Sequence, residues 1–255
     1  MIVAPYGWLT LGGLLLSFVV WTRLARNDPR LLTIYLAGLF GALVGAKIVY
    51  FCAEGYLHLG ASDMWRHLAT GKSILGGLLG GYAGVEAAKR FLGYRRVTGD
   101  RFALIVPAGV LLGRIGCWTS GCCQGIEFSP AWFTVSDSSG HARWPAVPVE
   151  MAFNLVFLAL VFALKKTRRL EGQHFHLYLV SYGAMRFVHE FVRDEPRVLG
   201  PFSGYQVAAL AVVALGLWRF RSRSQERQHD SESKSRLVTD AQLELQATRL
   251  GTNRD

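Results

Sequence analysis

Leu31–Cys52 reads LLTIYLAGLFGALVGAKIVYFC, a run broken by one charge, Lys47. An α-helix rises about 1.5 Å per residue, so an apolar run of this length matches a hydrocarbon core about 30 Å thick. Working outward, six more apolar windows follow the same rule: Tyr6–Thr22, Ser73–Ala88, Phe102–Trp118, Val147–Leu164, Phe175–Val192 and Pro201–Trp218. The sequence therefore predicts an all-α, polytopic integral membrane protein of seven transmembrane helices. Composition agrees: 51% of the 255 residues are hydrophobic and only 18% are charged, against about 25% in soluble domains. With 12% aromatics the chain is no disordered polymer, and four cysteines are too few for a disulfide scaffold.

The net charge of +10 is distributed by position. Arg23, Arg26 and Arg30 follow the first window; Lys89, Arg90, Arg95, Arg96 and Arg101 the third; Lys165, Lys166, Arg168 and Arg169 the fifth; Arg219, Arg221 and Arg223 the seventh. Alternate connections are thus basic, which the positive-inside rule reads as N-terminus out and C-terminus in. The charge is a topology signal, and no nucleic-acid partner is expected. No basic stretch precedes the first window, which reads as an uncleaved anchor. Residues 1–222 form the transmembrane domain, with a small extracytoplasmic loop region at 119–146. The polar tail 223–255 is expected to be mobile, with a short helical stretch possible around Leu237–Leu250.

Charges inside spans cost about 2.5–3.5 kcal/mol each on insertion scales, so each asks for a reason. Arg114, Glu150, Arg186, His189, Glu190 and Arg193 all fall toward the outer ends of their windows. Tyr182, Arg186, Glu190 and Arg193 have helical spacing that places them on one face, bordered by His189. Arg186 and Glu190 either lock helices together as an i, i+4 ion pair or take part in chemistry. Guanidinium groups at headgroup depth suit phosphate oxygens, so an anionic phospholipid is the expected ligand. In the segment Gly113–Gly125, GRIGCWTSGCCQG, the glycines would let the chain leave the helix and offer backbone N–H groups to an anion. Cys117, Cys122 and Cys123 could pair, bind metal or pack as small apolar residues. Their spacing is not Cys-x-x-Cys, so packing or a structural disulfide is the default and no metal is expected.

These residues resemble the bacterial prolipoprotein diacylglyceryl transferases over nearly the whole chain, from Tyr6-Gly7 to Gln206. The similarity rests on Gly113-Arg114-Ile115-Gly116, on Gly76-Gly77-Leu78 with Gly80, and on Tyr182-Gly183-Ala184-Met185-Arg186 with Glu190 and Arg193. The resemblance implies transfer of a diacylglyceryl group from phosphatidylglycerol to a lipobox cysteine thiol of a prolipoprotein, with glycerol phosphate released, in the bacterial cytoplasmic membrane and at its extracytoplasmic face. It implies catalytic roles for Arg114, Arg186, Glu190, Tyr182 and His189. Substrate contacts are implied for Tyr6, Gly76, Gly77, Gly113, Gly116, Glu150, Arg193 and Gln206. In this reading the two arginines hold the phosphate, Glu190 orients Arg186, Tyr182 donates to a lipid oxygen, and no metal or organic cofactor is required. The chain departs from the pattern at Leu75 and Trp144, where the family carries histidines, and at Cys117 and Cys122, where it carries Asn and Glu. His189 or an already ionised acceptor thiol would then serve in place of the missing base. Such departures fit a tolerant enzyme or a paralogue with another acceptor. A membrane thiol-disulfide oxidoreductase or a non-catalytic lipid-binding protein are the readings from other classes.

Overall fold

The computed structural model describes the backbone of residues 3–225, and its order is almost wholly helical: α1 (Val3–Ala25), α2 (Arg30–Ala53), α3 (Met64–Thr70), α4 (Ile74–Phe91), α5 (Gly99–Ser120), α6 (Ala146–Lys166), α7 (His174–His189) and α8 (204–225). Each apolar window is mostly helical. Among the described residues α2, α5 and α6 are long and apolar enough to cross a membrane by length and composition. Sheet is confined to two short antiparallel hairpins, β1 (Val135–Ser136) with β2 (Ala142–Arg143), and β3 (Arg197–Leu199) with β4 (Phe202–Ser203). The leucine-bearing stretch expected around 237–250 lies outside the described residues, as does most of the 223–255 tail.

Helix limits follow from local chemistry. The Ser73 side chain accepts from the Gly76 N–H and caps α4. Gly121 ends α5 in the left-handed region at φ 64°, where glycine meets no Cβ penalty. α3 was not expected from hydropathy. Lys47, the one charge of α2 beyond its first residue Arg30, holds it, donating from Nζ to the carbonyls of Leu68 and Ala69 at 2.7 Å and of Gly71 at 2.9 Å. Helix C-terminal carbonyls are otherwise unpaired acceptors and favour a cation.

Glycine sets the tightest seam. Gly41 and Gly45 of α2 face Gly76, Gly80 and Gly84 of α4, and a Cβ at Gly76 or Gly80 would run into the backbone carbonyl of Gly45 or Gly41. Small residues at four-residue intervals let apolar helices approach closely where no hydrophobic effect drives them together. α5 lies centrally, against α1, α6 and α7. Trp21, Ile34 and Tyr35 build one core between α1 and α2. Phe157, Tyr178 and Tyr182 build another between α6 and α7, with the two tyrosine rings stacked at 5.3 Å.

Contacts gather the turns at two ends. At one end, Arg30 lies over Tyr94, the Gly172 N–H donates to Asp100, and Gln173 reaches Ser224, so the four basic connections are neighbours. The other end collects Arg114, Glu150, Arg193 and the 119–146 loop. Outward faces of α1, α2, α6 and α8 expose Trp8, Phe40, Val156 and Trp218. Apolar helical faces of this kind suit lipid.

Candidate active site

Three arginines lie at one end of a cavity of about 1300 Å³, each with a carboxylate partner. Arg114 Nη2 sits 2.7 Å from Glu150 Oε2, Arg186 Nη1 2.8 Å from Glu190 Oε2, and Arg193 Nη2 donates to Glu195 Oε1 at 2.7 Å. All three guanidinium groups line the cavity. Glu150 and Glu190 are fully buried and stand behind that wall. The Arg114 Nε–H is buried with no hydrogen-bond partner among the described residues. A guanidinium has two donor edges; the carboxylate occupies one and leaves the other for an anion. The rest of the cavity is largely apolar, lined by Leu39, Ala42, Leu78, Val106 and Val110, and reaches Lys89 and Arg219 at the opposite end.

Several site residues expected from sequence stand elsewhere than the cavity wall. Tyr182 is fully buried and its hydroxyl donates to Glu150 Oε1 at 2.7 Å, so its hydrogen goes to the carboxylate that braces Arg114 and away from any lipid oxygen. Tyr178 extends this support by donating to Asn154, which donates to the Glu150 carbonyl. His189 Nε2 accepts the Trp144 indole N–H at 3.2 Å, and the ring does not line the cavity. Its Nδ1 is buried with no hydrogen-bond partner among the described residues. Gly76 is consumed by the glycine seam, whereas Gly77 and Gly113 do line the cavity. Gln206 is buried and cross-links: its Oε1 accepts from the Ser203 N–H and its Nε2 donates to the Phe187 carbonyl. Ser203 in turn donates to Glu190 Oε1 at 2.9 Å. Of Tyr6 the backbone belongs to α1, and the side chain lies outside the described residues.

Two expectations about backbone are corrected. Gly113 and Gly116 do not open a loop: α5 stays helical through Ser120, so their N–H groups are committed to the helix and the chain leaves it only at Gly121. The α7 face does not continue as α-helix to Arg193. A 3₁₀ turn at Glu190–Val192 intervenes, and Arg193 is extended, yet it still points inward and is buried. An isolated bridge from Gly125 to Arg193 ties the loop after α5 to this segment.

Sequence reasoning missed Glu54 and Glu195, both on the cavity wall. Glu54 hydrogen-bonds Glu195 and Tyr205; burial, then the Glu195 charge, pushes its carboxyl up to about 7. Placed just past α2, Glu54 reads in sequence as an interfacial charge, and nothing local betrays a partner 141 positions on. The cysteines also converge. The Sγ atoms of Cys117, Cys122 and Cys123 lie within 4.8 Å of one another, unbridged, with all three on the cavity wall. Mutual hydrogen bonds, with Arg114 and Arg193 nearby, pull the Cys123 thiol down, while the same bonds push the Cys122 thiol up.

The family model described as prolipoprotein diacylglyceryl transferase matches residues 1–221. The chain belongs to that family. Among its relatives, a phosphatidylglycerol–prolipoprotein diacylglyceryl transferase of Aliivibrio salmonicida is 30% identical over 241 residues, 84% of this chain and 83% of the relative. One of Clostridium tetani is 26% identical over 236 residues, covering 84% and 91%. Within the family, then, this member carries its arginines in carboxylate-braced pairs at the cavity and a three-thiol cluster beside them.

Proposed function

We propose that the chain is a membrane transferase moving the diacylglyceryl group of phosphatidylglycerol to the thiol of a prolipoprotein lipobox cysteine, with release of glycerol phosphate. It would do so from a seven-span body, N-terminus out and C-terminus in, in the bacterial cytoplasmic membrane, with its site toward the extracytoplasmic face. The observation that carries this reading is the set of buried arginines, each braced from behind by a carboxylate, at one end of a long apolar cavity. The apolar length suits acyl chains, and the arginine end suits a phosphodiester.

In the mechanism, the free edges of Arg114 and Arg186 hold the phosphate while Glu150 and Glu190 fix the guanidinium planes. The acceptor, as the thiolate left when its proton passes to solvent, attacks the glycerol carbon next to the phosphate ester. A C–S bond forms, the C–O bond breaks, and its electron pair goes to a phosphate oxygen whose growing charge the arginines already face. Tyr182, Gln206 and Ser203 position the carboxylates. A second reading keeps the donor and changes the acceptor; it is favoured by Leu75 on the cavity wall and by Trp144 closing over His189, where the family carries histidines.

The test is incubation of the purified protein in lipid with labelled phosphatidylglycerol and a lipobox peptide. Thioether-linked diacylglyceryl peptide with glycerol phosphate is the expected result. Glycerol phosphate released only with another acceptor supports the second reading, and no release with any acceptor overturns both.

A further inference from the structure

We propose that Cys117, Cys122 and Cys123 form a three-thiolate zinc site whose open fourth position takes the acceptor thiol. The acceptor half rests on the transferase reading above; the metal half does not. Three sulfurs within 4.8 Å of one another are close to the S···S spacing of about 3.8 Å that tetrahedral zinc imposes at a Zn–S bond of about 2.3 Å. Rotamer adjustments of about 1 Å or less would close the gap.

The backbone is shaped to bring these sulfurs together. Gly121 turns the chain at φ 64° and Cys123 follows at φ 61°, left-handed for a residue with a Cβ. Such a conformation persists where its surroundings enforce it. Here the Cys122 N–H bonds the Cys117 carbonyl at 3.1 Å, and Arg193 Nη1 donates to the Cys123 carbonyl at 3.5 Å. Cys-x-x-Cys spacing is absent from the sequence because the left-handed turn, rather than a short loop between ligands, makes the convergence.

No fourth His, Cys, Asp or Glu joins the cluster among the described residues. Three protein ligands with one open position is the arrangement of catalytic zinc, whereas structural zinc is closed by four. Zinc with three thiolates carries one net negative charge, and Arg114 Nη1, 3.9 Å from Cys117 Sγ, offsets it. The open position would face the cavity beside Arg114 and Arg193.

The site also answers a chemical need. His189 Nε2 is engaged by the Trp144 indole N–H and the ring does not line the cavity, so the acceptor proton is not taken there. A thiol bound to zinc is deprotonated outright. The zinc-bound thiolate supplies the electron pair for the C–S bond, the C–O bond to phosphate breaks, and the leaving phosphate oxygen takes that pair. The thiol proton goes to solvent on binding and is balanced by protonation of the released phosphate monoester. Zinc keeps its oxidation state, and the neutral thioether, a weaker ligand, departs.

The full chain, purified in lipid nanodiscs, is assayed for metal and then reconstituted with Co²⁺ as a spectroscopic probe. One zinc per chain is expected, with a thiolate-to-cobalt charge-transfer band after exchange. Both should be lost in Cys122→Ser and Cys123→Ser and kept in Cys52→Ser, which alters an exposed thiol outside the cluster. Because Cys122 and Cys123 are exposed, their serine variants should purify folded. A lipobox peptide should change the cobalt spectrum, and its Cys→Ser analogue should not. Absence of bound metal, a disulfide among the three cysteines in the active protein, or a spectrum blind to the peptide thiol overturns the proposal. So does thioether formation by metal-free protein, which leaves the transferase reading intact. A thiol-responsive cobalt site in protein that releases no glycerol phosphate upholds the site and instead removes the transferase reading.

Discussion

Glu150 is ion-paired with the Arg114 guanidinium, accepts the Tyr182 hydroxyl, and is wholly shielded from solvent. Breaking a buried pair from one side leaves an uncompensated charge worth about 3–5 kcal/mol, so Glu150→Gln should lower thermal stability in detergent by an amount in that range. Tyr182→Phe removes a neutral donor to a charged carboxylate and should cost about 1.5–3 kcal/mol, with transfer activity reduced less than about tenfold. A far larger kinetic loss at unchanged stability would return Tyr182 to direct lipid contact. Arg114→Lys and Arg186→Lys keep charge but lose the planar fork; each should cut turnover by about tenfold to a hundredfold, corresponding to about 1.5–3 kcal/mol for a charged hydrogen bond, while the protein still purifies. These arginines were legible because a charge in an apolar window is costly and therefore conspicuous. Their partners were only half legible. Glu190 lies one helical turn from Arg186, but Glu150 meets Arg114 through the packing of α5 on α6, and no spacing rule crosses that gap. Cys117, Cys122 and Cys123 were visible as residues and hidden as a cluster, because the left-handed turn at Gly121 decides their convergence.

Between α2 and α4 the neighbouring glycines of one motif behave oppositely. A Cβ at Gly76 would strike the Gly45 carbonyl, whereas one at Gly77 would sit 3.7 Å from the nearest atom, the Ala42 oxygen. Gly76→Ala should therefore destabilise the protein by about 1–3 kcal/mol through overpacking, and Gly77→Ala should leave stability unchanged or raise it through helix propensity of up to about 1 kcal/mol. Parallel thermal melts would separate them, and equal losses would mean the seam is looser than the carbonyl contacts imply. Glu54, just beyond α2, supplies a pH signature. Its folded carboxyl holds a proton more readily than the unfolded one, so its contribution is complete below about 4.5 and is lost as pH rises through about 7. The melting temperature should fall across that window in the wild type, and Glu54→Gln should flatten the profile. Hydropathy alone located the long helices well, since an apolar run of membrane length has few other folds available. It missed α3 because a seven-residue helix with two basic side chains has no pattern to detect; the cation that stabilises it belongs to another helix.

At the level of the whole molecule, the basic connections share one end and the arginine site the other. If the charge bias sets orientation, a reporter after Arg223 is active only in the cytoplasm and one within Ser136–His141 only outside. The opposite pattern would turn the site toward the cytoplasm. The β1–β2 hairpin offers a second readout: the Arg143 side chain donates to Asp137 at 2.7 Å and holds that carboxyl below its usual range. This clamp is present above the ordinary carboxylate range and is lost as pH falls through the lowered value, so acid should loosen β1–β2 and alter the emission of Trp132 and Trp144, a change Asp137→Asn should abolish. Lys47 bears on how the chain is made. Its three carbonyl partners are synthesised 21 to 24 residues after it, so while α2 first meets the bilayer this ammonium has nothing to bond, and the cost of about 2.5–3.5 kcal/mol stands uncompensated until Gly71 has cleared the ribosome. A nascent chain halted with Leu68 still inside the ribosome should integrate poorly, and one long enough for Gly71 to have emerged should integrate as well as its Lys47→Leu counterpart. On that outcome, biogenesis of this segment is timed by a sequence that lies downstream of the helix it rescues.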